Sequence, residues 1–248
     1  MVLTAFRGAV GFLTRIPTGR SEEAWAAFSE TPAAFPLAGW VVGLLVAVPL
    51  LGSALSSLPA PTIAFGYLLA VYAVTGVNHA DGVADLGDAA VVHGSPEDRR
   101  AVLKDTEVGV GAVLALGTVL VGLALAALGV AGLPPIRAVT IALAAEVGAK
   151  FGMAAVACLG SPAFEGLGSA FTDNDPAALV APALVAAPVV LLGAPAIGAL
   201  AGAVAVALAL LRWSRVNLGG VNGDVFGATN ELARVAGLHL GVVAWTLS

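Results

Sequence analysis

The chain has 248 residues, of which 59% are hydrophobic and only 11% charged, and its mean hydropathy is +0.97. Soluble domains carry a charge on about a quarter of their residues, so this composition excludes a soluble globular protein. The net charge of −5 offers no basic track for nucleic acid, and the single cysteine, Cys158, excludes an intrachain disulfide.

The first predicted element is an amphipathic helix over residues 3–16. Its sequence, LTAFRGAVGFLTRI, is too short and too interrupted by arginine to cross a bilayer, but its apolar residues recur at helical spacing. We expect this helix to lie at the membrane interface, with Arg7 and Arg15 toward lipid phosphates. Arg15 is also a candidate substrate contact. A polar loop follows from Thr18 to Ser29.

Seven apolar blocks follow, each near the length that crosses a ~30 Å hydrocarbon core. They predict an all-α, polytopic membrane helix bundle that forms one domain over residues 1–248. Gly39 and Gly43 form a small-xxx-small pair that would let another helix approach closely. The predicted spans are 35–57, 62–78, 111–131, 136–158, 178–193, 196–212 and 231–247.

Counting these spans from the N-terminus places four polar stretches on one side of the membrane. Basic residues concentrate in cytoplasmic loops, so we expect this side to face the cytoplasm in a multi-pass protein of the cell membrane. The polar stretches are residues 1–34, 79–110, 159–177 and 213–230. Ten of the eleven basic residues lie in or beside them: Arg7, Arg15, Arg20, Arg99, Arg100, Lys104, Lys150, Arg212, Arg215 and Arg234.

The segment from His79 to Asp88, HADGVADLGD, places a histidine and three carboxylates in an otherwise apolar chain. At about 100° per residue, helical spacing places Asp81, Asp85 and Asp88 on one face. Anions at this spacing repel one another, so a cation would make the arrangement favourable. Because the ligands are oxygens, we predict Mg²⁺ or Mn²⁺. His79 is a candidate general base or substrate hydrogen-bonding group.

Two further polar elements lie along the chain. Lys104 and Asp105 are candidate catalytic residues ahead of a span whose entry, with Gly109 and Gly111, lets backbone approach a ligand or a helix. Glu146 and Lys150 are spaced i, i+4 inside an apolar helix, where charges usually face a cavity or a partner. This spacing predicts either a structural ion pair or a lysine that meets a substrate phosphate.

Two last segments complete the polar set. The loop FEGLGSAFTDND contains Glu165, and LGGVNGDVFGATNEL contains Asn222, Asp224 and Glu231. If the helix already runs from Asp224, the side chains of Asp224 and Glu231 face the same way and form a second carboxylate stripe. The alternative is that Asp224 is only a helix N-cap.

A divalent cation at a membrane face suits diphosphate chemistry, but spacing alone leaves phosphotransferase, prenyltransferase and carboxylate-based transporter open. Motifs in chain order make the assignment specific, because together they resemble the cobalamin synthase family. They are FLTRIP, FPLAG, TGVNHADGVADLGD, LKDTEVGVGAV, FEGLGSAF and LGGVNGDVFGATNE. The resemblance implies an integral membrane, Mg²⁺-dependent adenosylcobinamide-GDP ribazoletransferase. Such an enzyme joins a GDP-activated corrinoid to α-ribazole, or its 5′-phosphate, and releases GMP.

Carried over residue by residue, the resemblance assigns roles to matching positions. It makes Asp81, Asp85 and Asp88 metal ligands, adds Asp105 and Asp224 as further acidic positions, and includes His79 and Glu231 in its pattern. Combined with the interpretation of the residues above, the prediction is metal binding by Asp81, Asp85, Asp88 and Asp224, catalysis by His79, Lys104 and Asp105, and substrate binding by Arg15, Lys150, Asn222 and Glu231. The chain departs from the family pattern at Ala89, where Gly is frequent, at Glu107 and Lys150, where Arg is common, and at Arg234, where an acid often follows. These departures question a phosphate contact at 107 and an acidic pair at 231 and 234, and leave the aspartates intact.

The expected partners are the two small-molecule substrates and membrane lipid, without nucleic acid, and the sequence is compatible with a homo-oligomer. Two alternatives remain. A CDP-alcohol phosphotransferase would have Ala-Arg where this chain has Ala84 and Asp85. A cation-coupled carrier often contains inverted repeats, and no internal repeat is evident here.

Overall fold

The computed structural model describes residues 1–19, 21–55, 57–105 and 107–248, so the predicted basic residue Arg20 lies outside the described residues. Within them the fold is all-α, as predicted. The helices are α1 (Val2–Leu13), α2 (Glu22–Ser29), α3 (Ala34–Val46), α4 (Gly52–Leu55), α5 (Ala60–Thr75), α6 (Asn78–Val91), α7 (Pro96–Val102), α8 (Val110–Ala131), α9 (Pro135–Leu159), α10 (Leu167–Phe171), α11 (Val180–Ala186), α12 (Ala194–Asn217) and α13 (Gly223–Thr246). Short 3₁₀ helices cover Val48–Leu51, Pro176–Leu179 and Ala187–Leu192.

The described residues contain three helices, α8, α9 and α12, that are long and apolar enough to cross a membrane. Two bent pairs meet the same test as units, and the number is at most five if each pair counts as one span: α2 with α3, turned by 108°, and α5 with α6, turned by 96°. The predicted total of seven is not confirmed. Residues 178–193 form short helical pieces, because Pro182 and Pro188 lack the amide hydrogen that a continuous helix needs. Helix α13 carries three charged residues in its first half, which lowers its apolar character.

Helix α9 is the centre of the bundle and packs against α3, α12 and α13. In its most apolar stretch 94% of the residues are buried, against 28% in α8 and 39% in α12. The predicted close approach at Gly39 and Gly43 is confirmed, because a Cβ at these positions would lie 2.9 Å from Val147 Cα and 3.0 Å from Leu143 Cα. Small residues therefore let α3 pack directly on the α9 backbone.

The N-terminal helices pack onto one end of this bundle. The predicted amphipathic helix is confirmed as α1, and its buried face contacts α2 and α3. An aromatic cluster ties α1, α2 and α3 to α10 and α13, with neighbouring ring centroids 4.8 to 6.3 Å apart. Its members are Phe12, Trp25, Phe28, Phe35, Phe171 and Phe226.

The polar segments meet at this same end, which is called the polar end below. Helix α6 turns away from α5 at Gly76, whose φ of +70° suits glycine, and packs against α8 and α13. The loop after α9 pairs with the segment before α13, since Ala163 N donates to Val221 O at 2.9 Å and Val221 N to Ser161 O at 2.8 Å. Contacts therefore join the segments that sequence placed on one side of the membrane.

Candidate active site

Two glycines bring the aspartate-bearing helix α6 against the start of α13. A Cβ at Gly82 would lie 2.5 Å from the Asp224 carbonyl oxygen, and one at Gly227 would lie 3.0 Å from the His79 carbonyl oxygen. Side chains at these positions would force the helices apart. The close packing places the turn that carries Asp81 and Asp85 beside Asp224, although these motifs are well over one hundred residues apart in sequence.

Three of the predicted metal-binding carboxylates lie around this contact, with Asp81 exposed and Asp85 and Asp224 half-buried. The predicted span 62–78 ends where α6 begins, and α6 turns by 96° from α5 at the polar end, so we treat α6 as lying outside the membrane-spanning segments. Burial, and then the negative charges of Asp224, Asp81 and Asp88, raise the pKa of Asp85 to about 6. Burial also raises the pKa of Asp224, against a hydrogen bond from Asn222 Nδ2 to its Oδ2 at 2.6 Å.

Asp88 has a different environment from the other aspartates. Its Oδ2 accepts a hydrogen bond from Gly109 N at 2.8 Å, and its Oδ1 accepts one from Ala112 N at 2.9 Å. These amides belong to the start of α8, where backbone N–H groups lack partners within their own helix. Asp88 therefore anchors α8 to α6, a role that the sequence did not predict. Gly109 and Gly111 serve close helix packing, since Gly111 lies against the Gly87 backbone.

The chemistry of these residues fits a hard divalent cation. Asp81, Asp85 and Asp224 supply anionic oxygen ligands, and no ion pair among the described residues neutralises them. No three His, Cys, Asp or Glu side chains in the described ranges lie close enough together to form a ready-made metal site. The fit to a cation therefore rests on the chemistry and the unneutralised charge of these carboxylates, and not on a preformed set of ligands.

A buried network of charged residues lies deeper in the bundle. The side chains of Glu146, Lys150 and Arg234 have no exposed surface. Glu146 accepts from Lys150 Nζ and from Arg234 Nε, and Arg234 Nη1 donates to Glu231. The two carboxylates and two cations balance, which offsets the cost of burying charge. Lys150, predicted to contact substrate, is thus held in the ion pair that was the alternative prediction.

This network ends at His79. The imidazole Nδ1 lies 3.2 Å from Asn230 Nδ2 and 4.0 Å from Glu231 Oε1. Burial lowers the pKa of His79 to about 4, so the ring is neutral at pH 7. The sequence does not single out Asn230, and it presents Arg234 as a flanking basic residue and a departure from the family pattern. The i, i+3 spacing of Glu231 and Arg234 was the available signal.

Asn222 caps α13, because its Oδ1 accepts a hydrogen bond from Val225 N at 3.1 Å. The N-cap role considered for Asp224 therefore belongs to Asn222. Asp224 lies within the first turn, and its carboxylate is held by the same Asn222 side chain through Nδ2. Asn222, predicted to bind substrate, thus orients a carboxylate of the site.

The remaining predicted residues lie at the rim. Arg15 N donates to Val74 O at 2.7 Å, and the exposed Arg15 lines a cavity of about 650 Å³ beside α1 and α2. The exposed Lys104 ammonium lies 5.6 Å from the centroid of the Phe164 ring. Asp105, also exposed, accepts a hydrogen bond from Glu107 N at 3.2 Å. In the described part of the chain none of these three makes a hydrogen bond or an ion pair with an aspartate of α6.

The membrane-length apolar helices and the acidic residues at one end of the bundle are those of a multi-pass membrane protein with an acidic centre. The chain belongs to the cobalamin-5-phosphate synthase family, which matches residues 5–242. Curated adenosylcobinamide-GDP ribazoletransferases of Halorubrum lacusprofundi and Haloquadratum walsbyi are 54% and 44% identical to it, over 99% and 100% of both proteins. One from Methanocella arvoryzae is 34% identical over 98% of this chain and 97% of its own length. No solved structure matches the chain.

Proposed function

We propose that the chain is an adenosylcobinamide-GDP ribazoletransferase. A hydroxyl oxygen of α-ribazole, or of its 5′-phosphate, forms a bond to the corrinoid-linked phosphorus, and the bond from that phosphorus to GMP breaks. The hydroxyl proton passes to a base, and the products are a cobamide and GMP. The observation that carries this proposal is the full-length similarity to ribazoletransferases, together with the meeting of the acidic motifs at the polar end.

We propose Asp81, Asp85 and Asp224 as ligands of Mg²⁺. Their oxygen donors, their mutual repulsion and the absence of a cationic partner among the described residues support this assignment. When bound, the cation neutralises diphosphate oxygens and the charge that develops on the leaving group. Asp88 was expected to be a fourth ligand, but both of its oxygens hold backbone amides of α8. We therefore assign Asp88 to the support of the site.

The other predicted residues receive roles according to their exposure. Arg15, Lys104 and Asp105 are exposed at the polar end, and we propose that they contact the substrates there. His79 is proposed to make a hydrogen bond at the reacting phosphate. Glu231 and the buried Lys150 belong to the charged network behind His79, so we propose that they act on substrate through it.

We also propose that the polar end faces the cytoplasm, because eight of the eleven basic residues belong to or flank its segments once the buried Lys150 and Arg234 are left out. Helix α13 packs along α9 and α12. This packing supports membrane embedding of α13, and with the broken segment at 176–192 it would bring the number of membrane segments to seven.

Membranes that contain the protein, incubated with adenosylcobinamide-GDP, α-ribazole and Mg²⁺, should yield a cobamide and GMP. Asp81→Asn should abolish GMP release, because it removes one anionic ligand from an exposed position where folding is little affected. Asp173→Asn is the matched control, since Asp173 is also exposed at the polar end. The proposal is wrong if the wild-type protein releases no GMP or if Asp81→Asn keeps full activity. Labelled CDP-diacylglycerol tests the phospholipid alternative and should give no product.

A further inference from the structure

The side-chain amide of Asn230 has only one chemically sensible orientation. One end of this amide lies 2.9 Å from Glu231 Oε1 and 3.2 Å from His79 Nδ1. A carboxylate oxygen can only accept a hydrogen bond, so the atom that faces it must be the nitrogen. Asn230 Oδ1 points the other way and is buried without a partner in the described structure. The hydrogen bond to Glu231 therefore orients the Asn230 amide, because Asn230 Oδ1 makes no hydrogen bond in the described structure that could fix the orientation.

The charge on Glu231 is itself fixed by the buried network. Arg234 donates to Glu231 Oε2 while it also binds Glu146, and neither Arg234 nor Glu146 has exposed surface. A guanidinium keeps its proton in proteins, so the carboxylate beside it stays anionic. Glu231 then presents Oε1 to Asn230 as a permanent acceptor.

The second hydrogen of the Asn230 amide points at His79. A ring nitrogen that faces an N–H donor can only accept, so Nδ1 must carry a lone pair. The imidazole is therefore neutral, and its single ring hydrogen lies on Nε2. His79 retains 9% of its side-chain surface, and no partner for Nε2 is found within the described residues.

We propose that Asn230, oriented by Glu231, is a positioning residue that holds His79 as the tautomer with its hydrogen on Nε2. His79 then offers a hydrogen-bond donor to the substrate and has no free lone pair with which to accept a proton. The proton of the attacking hydroxyl must therefore pass to another base. The tautomer follows from the contacts alone, whereas its use in catalysis rests on the proposed function.

Nitrogen-15 NMR of histidine-labelled protein in lipid nanodiscs at pH 7.5 tests the tautomer directly. The chain has three histidines, and His79→Gln identifies the signals of His79 by their loss. His93→Gln is the control for this assignment. We expect a protonated Nε2 and an unprotonated Nδ1 for His79 in the wild-type protein. A protonated Nδ1, or a mixture of tautomers, would overturn the proposal.

Asn230→Leu removes the donor while keeping the number and the branching of the side-chain heavy atoms. We expect it to produce mixed His79 tautomers and to lower kcat by about 10- to 100-fold, the range for groups that orient a ligand, with KM unchanged within about twofold. Thr229→Val is the matched control: the neighbouring Thr229 is equally buried, and its hydroxyl has no partner in the described structure. It should change neither the tautomer nor kcat. Loss of kcat with an unchanged tautomer in Asn230→Leu would contradict the positioning role.

Glu231→Gln tests the orientation of Asn230 more directly than Asn230→Leu does, because it should change which tautomer of His79 is favoured. The new amide can present its NH₂ group, which would let Asn230 turn its oxygen toward His79 and stabilise a hydrogen on Nδ1. We expect the Nδ1-protonated form to appear in this variant, and its absence would contradict orientation by Glu231. Because NMR requires no turnover, an Nε2-protonated His79 in a protein that releases no GMP would refute the proposed function alone.

Discussion

Asp88 allows an anchoring role to be separated from a metal-binding role. Asp88→Ala removes both acceptors that hold Gly109 N and Ala112 N at the start of α8. Loss of a helix cap costs about 0.5–2 kcal/mol, and hydrogen bonds to a charged group are at the stronger end. We therefore expect a local cost of about 2 kcal/mol, which corresponds to a roughly 30-fold increase in local opening.

Hydrogen–deuterium exchange of nanodisc-embedded protein measures this opening in peptides that cover residues 107–115. Asp88→Asn keeps one carbonyl acceptor and should cost about 1 kcal/mol, half of the effect. Asp81→Asn is the matched control, because it removes the same charge from the same face of α6 without a contact to α8 in the described structure. It should leave exchange at the start of α8 unchanged.

The refuting result is equally specific. If Asp88→Ala leaves amide protection in residues 107–115 unchanged, Asp88 does not anchor α8. Its carboxylate would then be available to a metal, and Asp88→Asn would raise the Mg²⁺ concentration needed for half-maximal activity. An anchoring role predicts that this concentration stays within about twofold of the wild-type value.

Three further predictions concern the packing and the charge of the polar end. Gly82→Ala should destabilise the protein by about 1–3 kcal/mol and lower its activity at least tenfold, because the new Cβ would lie 2.5 Å from the Asp224 carbonyl oxygen. The control is Gly117→Ala, because Gly117 has open space around it. In thermal unfolding this control should be neutral or stabilising. Without divalent cations, the stability of the wild-type protein relative to Asp85→Asn should fall as pH rises from 3.8 to about 6, because the folded wild type binds more protons at Asp85 than the unfolded state does. The opposite contribution of His79, whose pKa is lowered to about 4, is common to both proteins and cancels in this difference. Mg²⁺ should reduce the fall, and a stability difference that does not change with pH would argue against the clustered charge. Phe171→Ala should lower the free energy of unfolding by about 3–5 kcal/mol, because this ring is 1% exposed at the centre of the aromatic cluster. A decrease below about 1 kcal/mol would show that the cluster does not hold α1 and α2 in place.

The sequence predicted the parts of the fold that depend on local pattern. Apolar blocks gave the all-helical membrane architecture, and the spacing of Asp81 and Asp85 gave their shared face. Alternation of polar stretches along the chain predicted that Asp224 would lie at the same end, and the contact at Gly82 confirms it.

The remaining features depend on contacts between distant residues or on bends. Hydropathy does not reveal the 96° turn at Gly76 or the change between 3₁₀ and α geometry within residues 176–192, and the predicted total of seven spans is not confirmed by the three continuous membrane-length helices of the described residues. The pairing of Glu146 with Arg234 joins residues 88 positions apart, and no local pattern indicates it. Helical spacing likewise placed Asp88 with the other aspartates, but could not show that α8 begins against its carboxylate.

Binding of Mn²⁺, followed by electron paramagnetic resonance, tests most directly whether carboxylates from α6 and α13 hold one divalent cation. Wild-type protein in nanodiscs should bind Mn²⁺ in competition with Mg²⁺, and Asp85→Asn or Asp224→Asn should each weaken that binding at least tenfold. Asp173→Asn should leave it unchanged. Equal Mn²⁺ binding by the wild-type protein and both α6 and α13 variants would contradict a shared metal site between these helices.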